Sequence, residues 1–330
     1  VYSFGLANAE NRDMVLPFSP LMARLHNSLI SLIAYASAGV LLWLVITLVW
    51  EAVPAIRLAG LSILWSESWL PEQQEFGGRA LIFGSLISSL LALMGVIPLG
   101  VALAIAGNSY LPICPVCLRS AINTIVALTA SLPSVVIGFW GLTVLIPLLN
   151  PLQRWLNTHL GWLFLFGGST PSGSSLLMAS LLLVVMTLPL VASLCCSALN
   201  CLPSELSHSS LALGLNEWET LWQLCLPMLG RTIVSSGILA LGRALGETMA
   251  VTMVIGNPTR PTVSWSLVQP ASTIPSLLAN QFPEALEPMH ISALMYLALL
   301  LFGITLITNL CALAIAHFSI VQLTSGQTRP

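Results

Sequence analysis

Long apolar runs separated by shorter polar segments dominate the chain, at roughly 28–50, 80–106, 121–149, 174–198, 232–255 and 290–318. Each is long enough to cross a bilayer as a helix, so the pattern predicts an all-α integral membrane protein with six transmembrane helices. The third run holds Pro133 and Pro147 and is expected to be kinked or built of two pieces. Backbone groups freed by such a break must be satisfied inside the bundle or by water in a cavity. The first run is too long for a cleaved signal peptide and reads as an uncleaved span. Six spans put the terminal segments, 1–27 and 319–330, on one side with the loop 203–227. Segments 51–79, 150–173 and 256–289 lie on the other. Segment 150–173 alternates Trp155, Leu160, Trp162 and Phe164 with polar residues, as an interfacial helix or loop does. Segment 256–289 is proline-rich and reads as an ordered, irregular loop. Arg12, Arg24, Arg119, Arg231 and Arg329 fall on the terminal side; Arg57, Arg79, Arg154 and Arg260 fall opposite. That bias is too slight to orient the chain by charge alone.

Composition agrees with the pattern. The chain is 56% apolar and 7% charged, against about 25% charged in a soluble domain. A net charge of −2 without a basic run gives no footprint for nucleic acid. All ten basic residues are arginine. The absence of lysine excludes a Walker-A ATP site and Schiff-base chemistry on this chain. If ATP drives transport, a separate subunit binds ATP and Mg²⁺ and hydrolyses the nucleotide. The seven cysteines fall mostly in apolar stretches and do not read as a disulfide framework. Cys114-Pro-Val-Cys117 has the spacing of a redox or metal pair, but no second pair or nearby histidine completes a zinc set.

The fifth run carries two charges, Arg243 and Glu247, in an otherwise apolar stretch. Thr232 to Ile255 would form a helix about 36 Å long with Arg243 near the midplane. A lone charge there costs about 2.5–3.5 kcal/mol on the insertion scale. Four residues apart on one helix, the two can neutralise each other, on a stripe with Ser236, Leu239, Ala250 and Val254. Such a pair either handles a charged solute or locks two spans together. Pro133-Ser134 could present a hydroxyl and freed backbone groups to a pathway; a packing kink is the plainer alternative. His26, His208 and His317 read as solvated residues near the membrane surface.

Between the fourth and fifth runs, Pro203 to Pro227 reads as two short amphipathic helices joined at Gly214, where a tight turn needs a residue tolerant of positive φ. Gly214 is followed nine residues later by Leu224-Cys-Leu-Pro227. That spacing resembles the coupling loop of ABC importer permeases, which docks into a groove on the ATPase. The resemblance puts Gly214, Glu217, Trp218, Leu224, Pro227 and His208 at the coupling surface. His208-Ser209-Ser210 stands where that family usually has Glu-Ala-Ala, so an acidic contact is missing or replaced.

From about residue 28 to 318 the chain resembles the PstC-type membrane subunit of bacterial phosphate ABC importers. The matching pieces are Glu51-Ala-Val-Pro-Ala-Ile-Arg57, Phe76-Gly-Gly, Ile82-Phe-Gly-Ser-Leu, Ile97-Pro-Leu-Gly100, Leu132-Pro-Ser-Val-Val-Ile-Gly138 and the segment Gly242 to Gly256. The resemblance implies a type I ABC importer permease fold in the bacterial inner membrane with both termini cytoplasmic. It implies a heterodimer with a PstA-like second permease, two cytoplasmic ATPase subunits, a periplasmic phosphate-binding protein and contact with membrane lipid. The family's transport-critical arginine and glutamate fall on Arg243 and Glu247. The planar guanidinium suits two phosphate oxygens and keeps its charge. Glu247 is expected to pair with Arg243 at rest, to compete with phosphate for it, and to accept the proton of hydrogen phosphate, which sulfate lacks. The competing readings are a secondary anion transporter, which should show inverted repeats, a permease for another oxyanion such as sulfate or molybdate, and a membrane redox enzyme built on the cysteine pair.

Overall fold

The computed structural model describes residues 20–108 and 114–325, the side chains of 20–27, 204, 207, 208, 211, 312 and 315–325 excepted. Helices long and apolar enough to cross a membrane number six among the described residues: Ser28–Leu64, Arg79–Gly107, Ser134–Leu160, Leu176–Asn200, Glu217–Gly246 and Pro288–Cys311. The protein is a multi-pass membrane protein. The described residues divide into two units, with the boundary between Trp50 and Glu51. The described part of the first belongs to helix α1, Pro20–Ala59.

The second unit is built on α2, Arg79–Gly107, and α6, Leu176–Asn200, which pack along their length. Ser88, Ala92, Val96, Gly100 and Ala104 recur every four residues on one face of α2, and all are buried. A Cβ on Gly100 would stand 2.7 Å from Val191 Cγ1, and one on Gly95 2.9 Å from Val184 Cγ2. Small residues draw the helix backbones together, because apolar lipid offers no hydrophobic drive for helix association.

The third apolar run is indeed in pieces. Helix α3, Val116–Ser131, ends at Leu132, whose ψ of 134° leaves the helical region. This is what the following proline demands of its neighbour. Helix α4, Ser134–Trp140, then runs through a wide π turn, Gly141–Leu145, into α5, Ile146–Leu160. The membrane-long piece is thus Ser134–Leu160, shifted from the expected 121–149. Segment 150–173, expected to be an interfacial helix or loop, is helical as far as Leu160.

Helix α7, Ser204–Ala212, leads through a turn to α8, Glu217–Thr220, which continues through a second π turn, Leu221–Cys225, into α9, Leu226–Gly246. Each π turn is followed by a proline two residues on, Pro147 in one case and Pro227 in the other. A proline has no N–H and its ring presses on the carbonyl four residues back; widening the preceding turn relieves both. The fifth span consequently begins at 217, not 232, and absorbs the second coupling helix.

Beyond α9 lies the short helix α10, Met249–Val254. The proline-rich loop that follows folds back on the bundle. Ala271 N–H donates to Ile255 O (3.1 Å) and Asn257 N–H to Ala271 O (3.1 Å). The loop also accepts from the first amides of α6: Leu176 N–H to Gln269 O (3.1 Å) and Leu177 N–H to Leu267 O (2.8 Å). These satisfy donors that a helix start leaves without intrahelical partners. Gly84 has no room for a Cβ against the Ser272 carbonyl, and Ser85 Oγ accepts from Ile274 N–H at 2.9 Å, where helix α11, Ile274–Gln281, begins. Helix α12, Pro288–Ser325, closes the unit against α9 and α11. On the outer segment a strand pair, Trp69–Leu70 with Glu75–Phe76, buries Trp69, whose Nε1–H donates to Gln281 Oε1 at 2.7 Å.

Candidate functional site

The arginine–glutamate pair is not formed as its spacing suggested. Helix α9 stops at Gly246, and Glu247 has extended backbone, with φ −70° and ψ 122°. The two residues therefore do not share a helical face. The Glu247 carboxylate turns to the next helix, where Oε1 accepts from Ala250 N–H at 3.4 Å. The physical reason is local: Gly246 lowers the cost of leaving the helix, and a carboxylate at a helix start meets unpaired N–H groups and the positive end of the dipole. Among the described residues the ion pair present is Arg79–Glu67, at 2.9 Å.

Arg243 is exposed on α9. The buried face of that helix carries Ser236, Gly237, Ala240 and Ala244, with the Gly237 Cβ position 3.3 Å from Ile97 Cδ1 of α2. The opposite face carries Arg231, Ser235, Leu239, Arg243 and Gly246, all exposed. The expected stripe is therefore split: Ser236, Ala250 and Val254 are buried, Leu239 and Arg243 are not. Arg243 was expected near the middle of its span but falls in the last turn of α9, because the helix starts earlier and stops at Gly246. A guanidinium there, without a carboxylate beside it among the described residues, requires water, a solute or a neighbouring subunit.

The two broken spans meet. A Cβ on Gly138 of α4 would stand 2.8 Å from Ala250 Cα and 3.0 Å from Met253 Sδ of α10. Ser134 opens α4, half-buried, while Glu247 caps α10; the packed pair of short helices thus carries both residues. Proline marked the first break in the sequence. The second had no proline and was missed; Gly246 followed by a capping-competent Glu was its signal.

At the coupling end Gly214 has φ +87°, with nothing within 4 Å of its Cβ position. The turn is held by a capping box, Asn216 Oδ1 accepting from Glu219 N–H (2.8 Å) and Glu219 Oε2 from Asn216 N–H (2.9 Å). Thr220 Oγ–H donates to Ser210 Oγ at 2.9 Å, tying α7 to the first turn of the span; both are buried. Glu217 and Trp218 are exposed, Leu224 lies half-buried in the π turn, and Pro227 is exposed at the start of α9. Trp218 packs edge-on against Trp222, centroids 5.9 Å apart, a partner the sequence reading passed over. Leu213 is 83% exposed at the tip. The His208 side chain, like those of His26, His317, Arg12, Arg24 and Arg329, lies outside the described residues. Cys114 and Cys117 are free thiols, the second exposed. Among the described residues no group of three His, Cys, Asp or Glu side chains is placed to hold a metal.

Comparison with known proteins adds independent information. Residues 97–317 match the model for binding-protein-dependent transport system inner membrane components. The chain is 35% identical over 299 residues to the phosphate transport system permease protein PstC of Xylella fastidiosa, covering 88% of this chain and 89% of that one. It is 39% identical over 274 residues to the PstC of Mesorhizobium japonicum, covering 82% and 81%. Among solved structures, one neighbour is a chain of a bacterial ABC transporter involved in the import of alginate. Its TM-score is 0.55 at 16% identity, covering 89% of this chain and 98% of that one. A second structure of an alginate ABC transporter, in complex with a pentasaccharide-bound periplasmic protein, gives 0.56 at 17% identity over 88% and 92%. That likeness fixes the fold as the type I ABC importer permease fold.

Proposed function

The chain belongs to the family of binding-protein-dependent transport system inner membrane components, and on that premise we propose that it is the PstC-type translocation subunit of an ATP-driven phosphate importer. It works with a PstA-like second permease, two cytoplasmic ATPase subunits that bind ATP and Mg²⁺, and a periplasmic phosphate-binding protein. Both termini and the α7–α8 loop face the cytoplasm, and the chain itself carries no catalytic site. The observation that supports this most directly, beside the PstC relatives, is the exposed Arg243 guanidinium on α9, which has no carboxylate partner among the described residues.

Arg243 offers two parallel, charge-assisted N–H donors to two oxygens of a phosphate. Glu247 has one oxygen committed to the α10 cap. Its other oxygen can accept the hydroxyl proton of hydrogen phosphate and repels sulfate, which has none to donate. Ser134 opens the half-span packed beside that cap. The exposed Trp218 and Leu213 of the α7–α8 loop enter the groove of the ATPase. The Ser210–Thr220 tie and the continuous helix from α8 to Arg243 carry its motion to the pathway.

Phosphate uptake into proteoliposomes holding the full importer tests this reading. Uptake should require binding protein, ATP and the ATPase, and excess sulfate should not compete. ATP-independent uptake would favour a secondary anion transporter; sulfate or molybdate uptake without phosphate uptake would favour another oxyanion permease.

A further inference from the structure

We propose that Asn309 of α12 is the resting partner of Arg243, a positioning residue that holds the guanidinium by its amide oxygen until an anion takes it. This deepens the phosphate-conduction reading and rests on it. The starting observation is an orphan: Asn309 Oδ1 is buried and has no hydrogen-bond partner among the described residues. Its neighbours on α12 show the contrast. Thr305 and Thr308 satisfy their hydroxyls on carbonyls a turn back, Thr308 Oγ1–H donating to Ile304 O at 2.9 Å. Asn309 instead lies over α9. A Cβ on Gly242 would stand 3.4 Å from its Oδ1 and 3.5 Å from its Nδ2. A buried carbonyl inside a membrane span without a donor is unfavourable and calls for one.

The donor is adjacent. Arg243 follows Gly242 directly, is exposed, and has no carboxylate partner among the described residues. It has five N–H groups and no acceptor of its own. Gly242 places no side chain of its own between Arg243 and Asn309, and nothing stands within 4 Å of the Gly246 Cβ position. Glu247, the partner suggested by spacing, is instead engaged on α10. A neutral amide oxygen also suits the role better than a carboxylate. It satisfies one or two guanidinium donors at rest, yet yields to a phosphate, whose charge and paired oxygens bind the fork more strongly. Conduction needs such a graded preference, since a site must release what it binds.

The test is a double-mutant cycle in the reconstituted importer, using labelled phosphate and the proteins Asn309→Ala, Asn309→Asp, Arg243→Ala and Arg243→Ala with Asn309→Ala. Arg243→Gln takes the place of Arg243→Ala if the alanine protein does not assemble. Removing the neutral competitor should lower the phosphate KM and slow turnover several-fold. Installing a charged competitor with Asn309→Asp should raise KM by roughly tenfold. The effect of Asn309→Ala should vanish when Arg243 is absent, as coupling between contacting residues requires. KM shifts of the same sign for Ala and Asp, or an Asn309→Ala effect of equal size with and without Arg243, would overturn the proposal. Melting temperatures of the same assembled proteins read the pairing without phosphate: Asn309→Ala should lower the value only while Arg243 is present, and equal lowering in both backgrounds contradicts the pairing. A wild-type importer that moves no phosphate but shows this thermal coupling would overturn the phosphate reading and leave the pairing standing.

Discussion

Replacing Gly138 by alanine adds one methyl group at the contact between the two broken spans. The new Cβ would stand 2.8 Å from Ala250 Cα and 3.0 Å from Met253 Sδ. Carbon atoms settle at about 3.5–4.0 Å, so one helix must retreat by about 1 Å. The methionine can swing aside, but Ala250 Cα is backbone and is buried. Overpacking of this kind costs about 1–3 kcal/mol. The functional effect should exceed the loss of stability, because Ala250 N–H is also the donor that holds Glu247. Moving α10 moves the carboxylate, and misplacement by about 1 Å can lower a rate roughly a hundredfold. The assay is ATP-driven phosphate uptake beside a thermal melt of the assembled complex. The expected result is a modest drop in melting temperature with a tenfold or greater loss of uptake. Uptake within about twofold of wild type and an unchanged melt would refute the claim that α4 positions α10 and, through it, the glutamate.

Substitutions at three further positions probe separate parts of the account. Glu247→Gln keeps an acceptor for Ala250 N–H, so the complex should stay as stable as wild type while sulfate begins to compete with phosphate uptake; Glu247→Ala should also lose about 1 kcal/mol of cap energy, read in a melt. Gly214→Val should strain the turn at φ +87° by about 1–2 kcal/mol, lowering transport per ATP hydrolysed, measured by uptake and phosphate release in parallel. Ser85→Ala removes the acceptor of Ile274 N–H and should destabilise the packed-back loop by about 1–3 kcal/mol, visible as faster proteolysis within 256–289.

Much of this was legible along the chain. Apolar run lengths placed four of the six spans, Pro133 marked the break before α4, and Gly214 marked the positive-φ turn. What escaped has physical reasons. Pro227 looked like the end of a coupling loop, yet a π turn lets the helix pass it, so the fifth span starts at Glu217. The spacing of Arg243 and Glu247 fits a helical ion pair, but the same Glu also caps a helix, and the unpaired amides of α10 win. Proline content marked 256–289 as ordered without showing where it docks. Its seat on Gly84 and Ser85 is a contact across nearly 190 residues that no local pattern encodes. Asn309 gave no signal in the sequence, since its meaning depends on the bare glycine opposite.

The central claim is that the Arg243 guanidinium meets the transported anion. Initial rates of ATP-driven phosphate uptake should be measured with Arg243→Lys and Arg243→Ala importers that assemble and hydrolyse ATP as wild type does. Lysine keeps the charge and loses the planar fork, so uptake should fall at least tenfold for lysine and further for alanine. Normal phosphate uptake by both substituted importers would contradict the account.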